Sequence, residues 1–323
     1  MPLARLLFAV VLAALACASG ARAQDYPAKP VRIIIPYTPG GLVDVFARAL
    51  GNHLAQRLGQ PFIMDNRPGA SQAIGLEIAA KSPPDGYTLV TGTQAGLVFT
   101  TAARASLPYD PLRDFSHIST LFDTPFYLLV HPSLPVHSVQ ELIAYAKARP
   151  GKLSYGSIGV GSGHHLAMEL FKMRTGIDVV HVPYKGSPQS MTDLVSGIFQ
   201  LEFEGPVASL PNIRSGKVRA LASSGTERTR AMPDLPTVSQ AGLPGFEIAP
   251  WFGLSAPAGV PRAIIQRLNR EVVGMLSSPV ERERFAASNI DFKPSTPEEM
   301  TERVRDEIPK WTKVMRAAGI QPE

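Results

Sequence analysis

The sequence predicts an α/β fold in two lobes, and two stretches carry that expectation. An apolar run rich in β-branched residues at Val31–Ile35 leads through Pro39-Gly40-Gly41 into an amphipathic stretch ending at Leu58. The same succession of strand, glycine-rich turn and helix returns at residues 152–173, with Gly161 lying 120 positions beyond Gly41 (161 − 41). Elsewhere short apolar runs alternate with helical periodicity, as they do where helices pack on sheets.

In the first unit Val31, Ile33, Ile34 and Ile35 read as a strand buried on both faces, as in a parallel sheet. Pro36 ends it. Phe46, Leu50, Leu54 and Leu58 form one helical stripe, and Gly59 stops the helix. The product is a helix N-terminus whose backbone N–H groups lack partners, which attracts anions. An ordinary strand-to-helix connection would carry the same pattern. The stretch holds neither G-x-x-x-x-G-K-[ST] nor G-x-G-x-x-G, so nucleotide binding has no support.

Residues 61–64 read as a short strand, 65–69 as a turn, and 73–81 as a helix with Ile74 and Ile78 on one face. Pro83-Pro84-Asp85-Gly86 is a loop and residues 87–91 a strand. Gly92 to Gly96 then forms a small-residue turn at the strand's C-terminal end, where ligands bind in open α/β sheets. Residues 126–130 read as a strand crossing into the second lobe, and Ser138 to Glu141 as a capping box starting a helix with Val139, Leu142, Ile143 and Ala146 inward. In the second glycine unit Leu166, Leu170 and Met173 align. Residues 178–182 read as a strand, and Met191, Leu194 and Val195 sit on a short helix. Residues 198–204 alternate, with Phe199, Leu201 and Phe203 opposite Gln200, Glu202 and Glu204. Residues 218–222 are a further strand, 251–255 the returning strand, and 262–276 a helix. Thr296 to Glu299 caps the last helix, with proline in its first position and Met300, Val304, Ile308 and Trp311 inward.

The chain has 323 residues, enough for two lobes, with 45% hydrophobic and 18% charged side chains. Residues 1–23 read as a leader: Arg5 is basic, residues 6–16 are apolar, and Ala21-Arg22-Ala23 fits an A-x-A cleavage site. A rival reading lipidates Cys17, though the A-x-A site fits better. Without Arg5 and Arg22 the net charge falls from +5 to +3, with no basic run suited to nucleic acid. Cys17 is the only cysteine, so the mature chain has no disulfide, thiolate metal site or cysteine nucleophile. No later apolar stretch reaches membrane-spanning length.

The segments PYTPGGLVDVFAR, GQPFIMDNRPGA, SPPDGYTL and VHVPYKG resemble the tripartite tricarboxylate transporter family of periplasmic solute-binding proteins, and the resemblance covers essentially the whole mature chain. It implies a type II periplasmic binding-protein fold, with a cleft between two α/β lobes joined by two crossovers. Residues 24–124 would open the first lobe, 125–248 form the second, and 249–323 return to the first. It further implies capture of a small organic carboxylate and delivery to integral-membrane transporter subunits by a monomer needing no cofactor. Ligand presentation to a membrane signalling receptor is the alternative within the fold.

The implied ligand contacts are Tyr37, Gly40, Gly41, Asp44, Gln94, Ala95, Ser157, Gly161, Ser162, Tyr184 and Glu204. Asp44 belongs to the family's P-x-G-G-x-x-D motif, whose first proline is Thr38 here, and is implied to sort ligands by amino or polar groups; it also suits the helix dipole without any ligand. Ser157, Gly161 and Ser162 match the family's S-x-G-x-G-S turn and could hold a carboxylate or simply cap the helix. Glu204 replaces the usual aspartate, so its longer side chain should narrow the cleft or move a bound group. Glu202 and Glu204 read as a polar strand face, with nothing to split their pKa values. His165 and Glu169 are four apart on a helix, but no third ligand is spaced to complete a metal site. A hydrolase built on Ser162 and His165 lacks G-x-S-x-G. Leu42, Val43, Leu97, Val98 and Phe99, if they face the cleft, suggest an apolar or aromatic carboxylate.

Overall fold

The computed structural model describes residues 26–103, 106–286 and 290–320. The leader, Cys17 and the cleavage site fall outside the described residues.

The chain begins with β1 (Val31–Ile35), α1 (Leu42–Leu58), β2 (Phe62–Asn66), α2 (Ala73–Ala80), β3 (Thr88–Thr93), a π-helical turn at Ala95–Phe99, α3 (Thr100–Ala103) and β4 (Phe115–Asp123). It continues with β5 (Tyr127–Val130), α4 (Val139–Lys147), β6 (Ser154–Ser157), α5 (Gly163–Thr175), β7 (Val180–Pro183), α6 (Ser187–Val195), β8 (Leu201–Glu204), α7 (Pro206–Arg214) and β9 (Arg219–Ser223). It ends with β10 (Trp251–Pro257), α8 (Arg262–Ser277), α9 (Pro279–Arg284), β11 (Asp291–Phe292) and α10 (Pro297–Ala317).

These strands form two sheets, in the orders β11-β4-β10-β3-β1-β2 and β7-β6-β8-β5-β9. β1 runs parallel to both β2 and β3, in keeping with its apolar run, and all its residues but Arg32 are buried. β10 returns antiparallel between β3 and β4. In the second sheet β6 is parallel to β7 and β8, whereas β5 is antiparallel to β8 and β9.

The chain passes between the sheets after β4 and again before β10. The two passages are bonded together, since the backbone N–H and Oγ1 of Thr124 both donate to the Pro250 carbonyl at 2.8 and 3.1 Å. α10 packs against α5 of the second lobe and α3 of the first. Its Trp311 stacks edge-on against Phe99 at 5.1 Å, within a core cluster drawn from both lobes. Thr296 and Glu299 close a reciprocal capping box at its start, as the sequence predicts.

Several expectations need correction. Glu141 reaches the His137 N–H at 2.6 Å, so Ser138 caps α4 without a reciprocal box. On α2, Ile74 is exposed and the inward face is Ala73, Leu76 and Ala79. A Cβ on Gly75 would lie 2.9 Å from Pro36 and 3.0 Å from the Arg67 carbonyl, so α2 sits tight on that small-residue face. Met173 is likewise exposed, and Phe171 is buried in its place. β4 carries no clear strand pattern, since Ser, His and Thr interrupt its apolar residues, yet His117 is buried between the Ser255 hydroxyl at 2.9 Å and the Pro111 carbonyl at 3.1 Å. α7 is an addition to the sequence reading: Pro206 is its first residue, where proline fits a helix start as readily as it breaks a strand.

Candidate functional site

Both glycine turns leave the C-terminal end of a parallel strand and enter a helix. Gly40 and Gly161 have φ of 86° and 75°, the left-handed region that glycine enters without strain. Gly41, in extended conformation, immediately precedes α1, and no side chain caps the helix. α5 is capped by Ser162, whose Oγ accepts from the His165 N–H at 3.3 Å and donates to the Gly159 carbonyl at 2.7 Å.

Around the first turn, Asp44 is 3% exposed and its carboxylate is fully engaged. It accepts from Gly40 N at 3.0 Å, from Arg48 Nε and Nη2 at 3.0 Å each, and from Asn66 Nδ2 at 2.9 Å. The Arg48 bonds, helped by those from Gly40 and Asn66, outweigh burial and hold its pKa down at about 2. Its acceptor directions are spent, so Asp44 acts by fixing the turn, and Arg48 offsets the negative charge it brings to the helix end. Tyr37, Gln72 and Thr93 close a ring. Gln72 Nε2 donates to the Tyr37 hydroxyl at 2.8 Å, Tyr37 to Thr93 Oγ1 at 3.4 Å, and Thr93 to Gln72 Oε1 at 2.7 Å. Burial pushes the Tyr37 hydroxyl up to about 12, so it stays protonated.

Gln94 is drawn to the crossing. Its Nε2 donates to Glu307 Oε2 at 2.7 Å, and Trp251 Nε1 donates to the same atom at 2.9 Å. Ala95 opens the π-helical turn. Leu97, Val98 and Phe99 are buried in one core cluster, while Val43 is buried in a second, against which Leu42 packs, which overturns the expectation that they line a cleft. Phe99 instead touches the second turn: a Cβ on Gly163 would meet Phe126 at 3.3 Å and Phe99 at 3.4 Å.

Around the second turn, Ser157 is buried, with its Oγ 2.6 Å from His181 Nε2 and accepting from Gly159 N at 3.1 Å. Gly161 N donates to His165 Nδ1 at 3.1 Å. The imidazoles of His165 and His181 stack at 4.1 Å, and Tyr155 stacks on His181 at 4.8 Å. Burial first, then the neighbouring His181, lowers His165 to about 4, so it is neutral and accepts at Nδ1. Ser162 and His165 therefore serve the turn through cap and backbone bonds, and the nucleophile–base pairing a hydrolase needs is not made. Tyr184 donates its hydroxyl to Asp193 at 2.7 Å and its backbone N–H to Ser157. Glu169 accepts from Tyr155 and Lys172 and lies 3.9 Å from His165; no metal-holding cluster occurs among the described residues.

Glu202 and Glu204 are buried, a correction to the polar face read from their alternation. They lie on β8, a central strand covered on both sides. Glu204 Oε1 accepts from His164 Nε2 at 3.1 Å and from Gly205 N at 2.6 Å, while its Oε2 has no partner among the described residues. Glu202 accepts from Ser190 Oγ at 2.5 Å, and burial followed by the Glu204 charge raises its pKa to about 8.

The structure thus gathers Tyr37, Gly40, Gly41 and Asp44 at one turn, and Ser157, Gly161, Ser162, Tyr184 and, through His164, Glu204 at the other. Sequence reasoning missed Arg48, Asn66, Gln72 and His181 as the supports of these turns. The i,i+4 spacing of Asp44 and Arg48 was the one local signal available. A separate cavity of about 280 Å³ between the lobes contains none of the predicted contacts.

The family model described as tripartite tricarboxylate transporter family receptor matches residues 46–320. Protein BugT of Bordetella pertussis is 38% identical over 324 residues, covering 99% of each chain. A protein of Cupriavidus necator described as a UPF0065 protein in the gbd 5′ region is 35% identical over 84% of this chain and 82% of its own length. Among solved structures, R. palustris Rpa4515 with adipate has a TM-score of 0.77 and 38% identity, covering 92% of this chain and 100% of its own. MatC (Rpa3494) from Rhodopseudomonas palustris with bound malate has a TM-score of 0.71 and 30% identity, covering 90% of this chain and 99% of its own.

Proposed function

The chain belongs to the tripartite tricarboxylate transporter receptor family, and on that premise we propose that it captures a small aliphatic dicarboxylate between the two glycine turns and presents it to a membrane transporter. It is a solute-binding receptor and not an enzyme. The observation carrying the ligand reading is the uncapped N-terminus of α1 behind Gly40–Gly41. Its N–H groups are suited to one carboxylate, and the capped but glycine-rich start of α5 is suited to the other end of the ligand. Adipate and malate in the two Rhodopseudomonas structures support an aliphatic carboxylate. The burial of Leu97, Val98 and Phe99 removes the case for an aromatic one.

Binding would close the lobes about the bonded passages at Thr124 and Pro250. The closed form then offers both lobes to the membrane subunits, and a monomer suffices for this. The leader ending at Ala23 would send the chain to the periplasm.

A thermal-shift panel on the mature chain tests the ligand reading. Adipate or malate should raise the melting temperature in a concentration-dependent way. If aromatic carboxylates stabilise the chain and aliphatic dicarboxylates do not, the reading fails.

A further inference from the structure

The bonded passages divide the space between the lobes in two. In the first sheet β4 and β10 stand between β11 on one side and β3, β1 and β2 on the other. In the second, β5 stands between β9 on one side and β8, β6 and β7 on the other. Both glycine turns belong to the β1 and β6 side. The cavity of about 280 Å³ belongs to the opposite side, between the loop after β9 and a wall formed by Arg282, Phe285, Phe292 and Lys293.

This rear cavity is lined by four cations, Arg228, Arg230, Arg282 and Lys293, and by two acids, Asp123 and Glu227. The acids are committed. Asp123 accepts two bonds from Arg303 at 3.1 and 3.2 Å, and Glu227 lies 3.5 Å from Lys293. Arg228 donates to the Pro233 and Asp234 carbonyls and to Gln240 Oε1, which leaves its charge uncancelled. Arg282 lies over the Phe292 ring at 6.0 Å, and Arg230 makes no hydrogen bond or ion pair to any described residue.

We propose that this rear cavity is a second anion site, taking a small polyanion with phosphate or carboxylate oxygens between Arg230 and Arg282. Guanidinium forks match such oxygens, and cavities between lobes are common ligand sites. The two arginines come from different lobes. An anion held by both draws the rear edges together, and rotation about the passages that closes the front widens the rear. Rear occupancy therefore opposes closure over the front ligand, and by linkage the front ligand weakens the rear anion equally. This coupling rests on the front-cleft reading above; the rear site itself does not.

Isothermal titration of the mature chain with inorganic pyrophosphate in low-salt buffer tests the site, with adipate titrated in its presence and absence. Pyrophosphate should bind the wild type, and Arg230→Gln with Arg282→Gln should weaken it by about tenfold or more. The double variant should bind adipate alone as the wild type does. Pyrophosphate should weaken adipate by about fivefold in the wild type and not in the variant. Citrate in place of pyrophosphate tells a carboxylate from a phosphate preference, and arginine-dependent binding of either supports the site. Arg230→Gln alone, which breaks no bond to a described residue, gives the same comparison if the double variant misfolds. Equal pyrophosphate affinity in variant and wild type, or no binding, overturns the site. Pyrophosphate competing with adipate as well in the variant places it in the front cleft and overturns the coupling. If adipate binds neither protein, the front reading fails, and the pyrophosphate titration still decides the rear site.

Discussion

Glu204 and His164 meet in a buried bond of 3.1 Å that ties the end of β8 to the first turn of α5. The same Glu204 oxygen accepts the Gly205 N–H at the start of α7. One carboxylate therefore positions two helix starts beside the second glycine turn. Glu204→Ala would leave both donors buried without an acceptor and should cost about 1–3 kcal/mol in urea denaturation. Glu204→Gln keeps one acceptor oxygen and should cost less than half of that. Equal losses for the two substitutions would show that the charge both remove, and not the acceptor oxygen that glutamine retains, is what matters.

Asp44 supports the first turn through Gly40, Arg48 and Asn66. Its pKa falls from 3.8 to about 2 in the folded chain. A depressed carboxylate stabilises the fold above its unfolded pKa and loses that contribution as pH falls through the folded value. Asp44→Asn should therefore cost about 1–2 kcal/mol at neutral pH, a figure reduced because Arg48 is half exposed. The gap between variant and wild type should narrow steadily below about pH 4. Because the turn loosens, dicarboxylate affinity should drop as well, by about tenfold in calorimetry.

The repeated strand–glycine–helix units, the last helix cap and the returning strand were legible because each rests on local chemistry. Which face of an element a distant segment covers was not. Leu97, Val98 and Phe99 read equally well as cleft lining or as core, and α10, about two hundred residues onward, packs on their turn and sets Trp311 against Phe99. Glu202 and Glu204 alternate as a solvent face would, but β5, β6 and the neighbouring helices enclose their strand. The supports of the second turn also come from afar, since His181 reaches Ser157 from β7. Composition and spacing carry no trace of such a partner.

His117 and His165 are both buried, and burial lowers each from 6.5 to about 4. In the unfolded chain they take up protons from about pH 6.5 downward, whereas the folded chain excludes them until about pH 4. Stability should therefore decline across that window by about 2–3 kcal/mol per histidine, and stay flat in this respect above it. His165 adds a functional consequence, because protonating Nδ1 deprives the Gly161 N–H of its acceptor. Calorimetric dicarboxylate affinity should weaken toward pH 4 more in the wild type than in His165→Gln, whose side-chain oxygen accepts without titrating. Parallel pH profiles for the two proteins would remove His165 from the turn's pH response.

Glu202 behaves in the opposite sense. Its pKa rises from 4.5 to about 8 through burial and the nearby Glu204 charge. The folded chain holds this proton where the unfolded chain has released it, so stability is full below about pH 4.5 and declines as pH climbs toward 8. Glu202→Gln keeps the oxygen that accepts from Ser190 and removes the titration. The variant should match the wild type near pH 4.5 and melt higher near pH 8, by about 2–4 kcal/mol converted from the denaturation midpoint. A wild type that stays as stable as the variant into alkaline solution would mean that Glu202 is ionised in the fold, with a buried water or cation partnering its Oε2, which has no partner among the described residues.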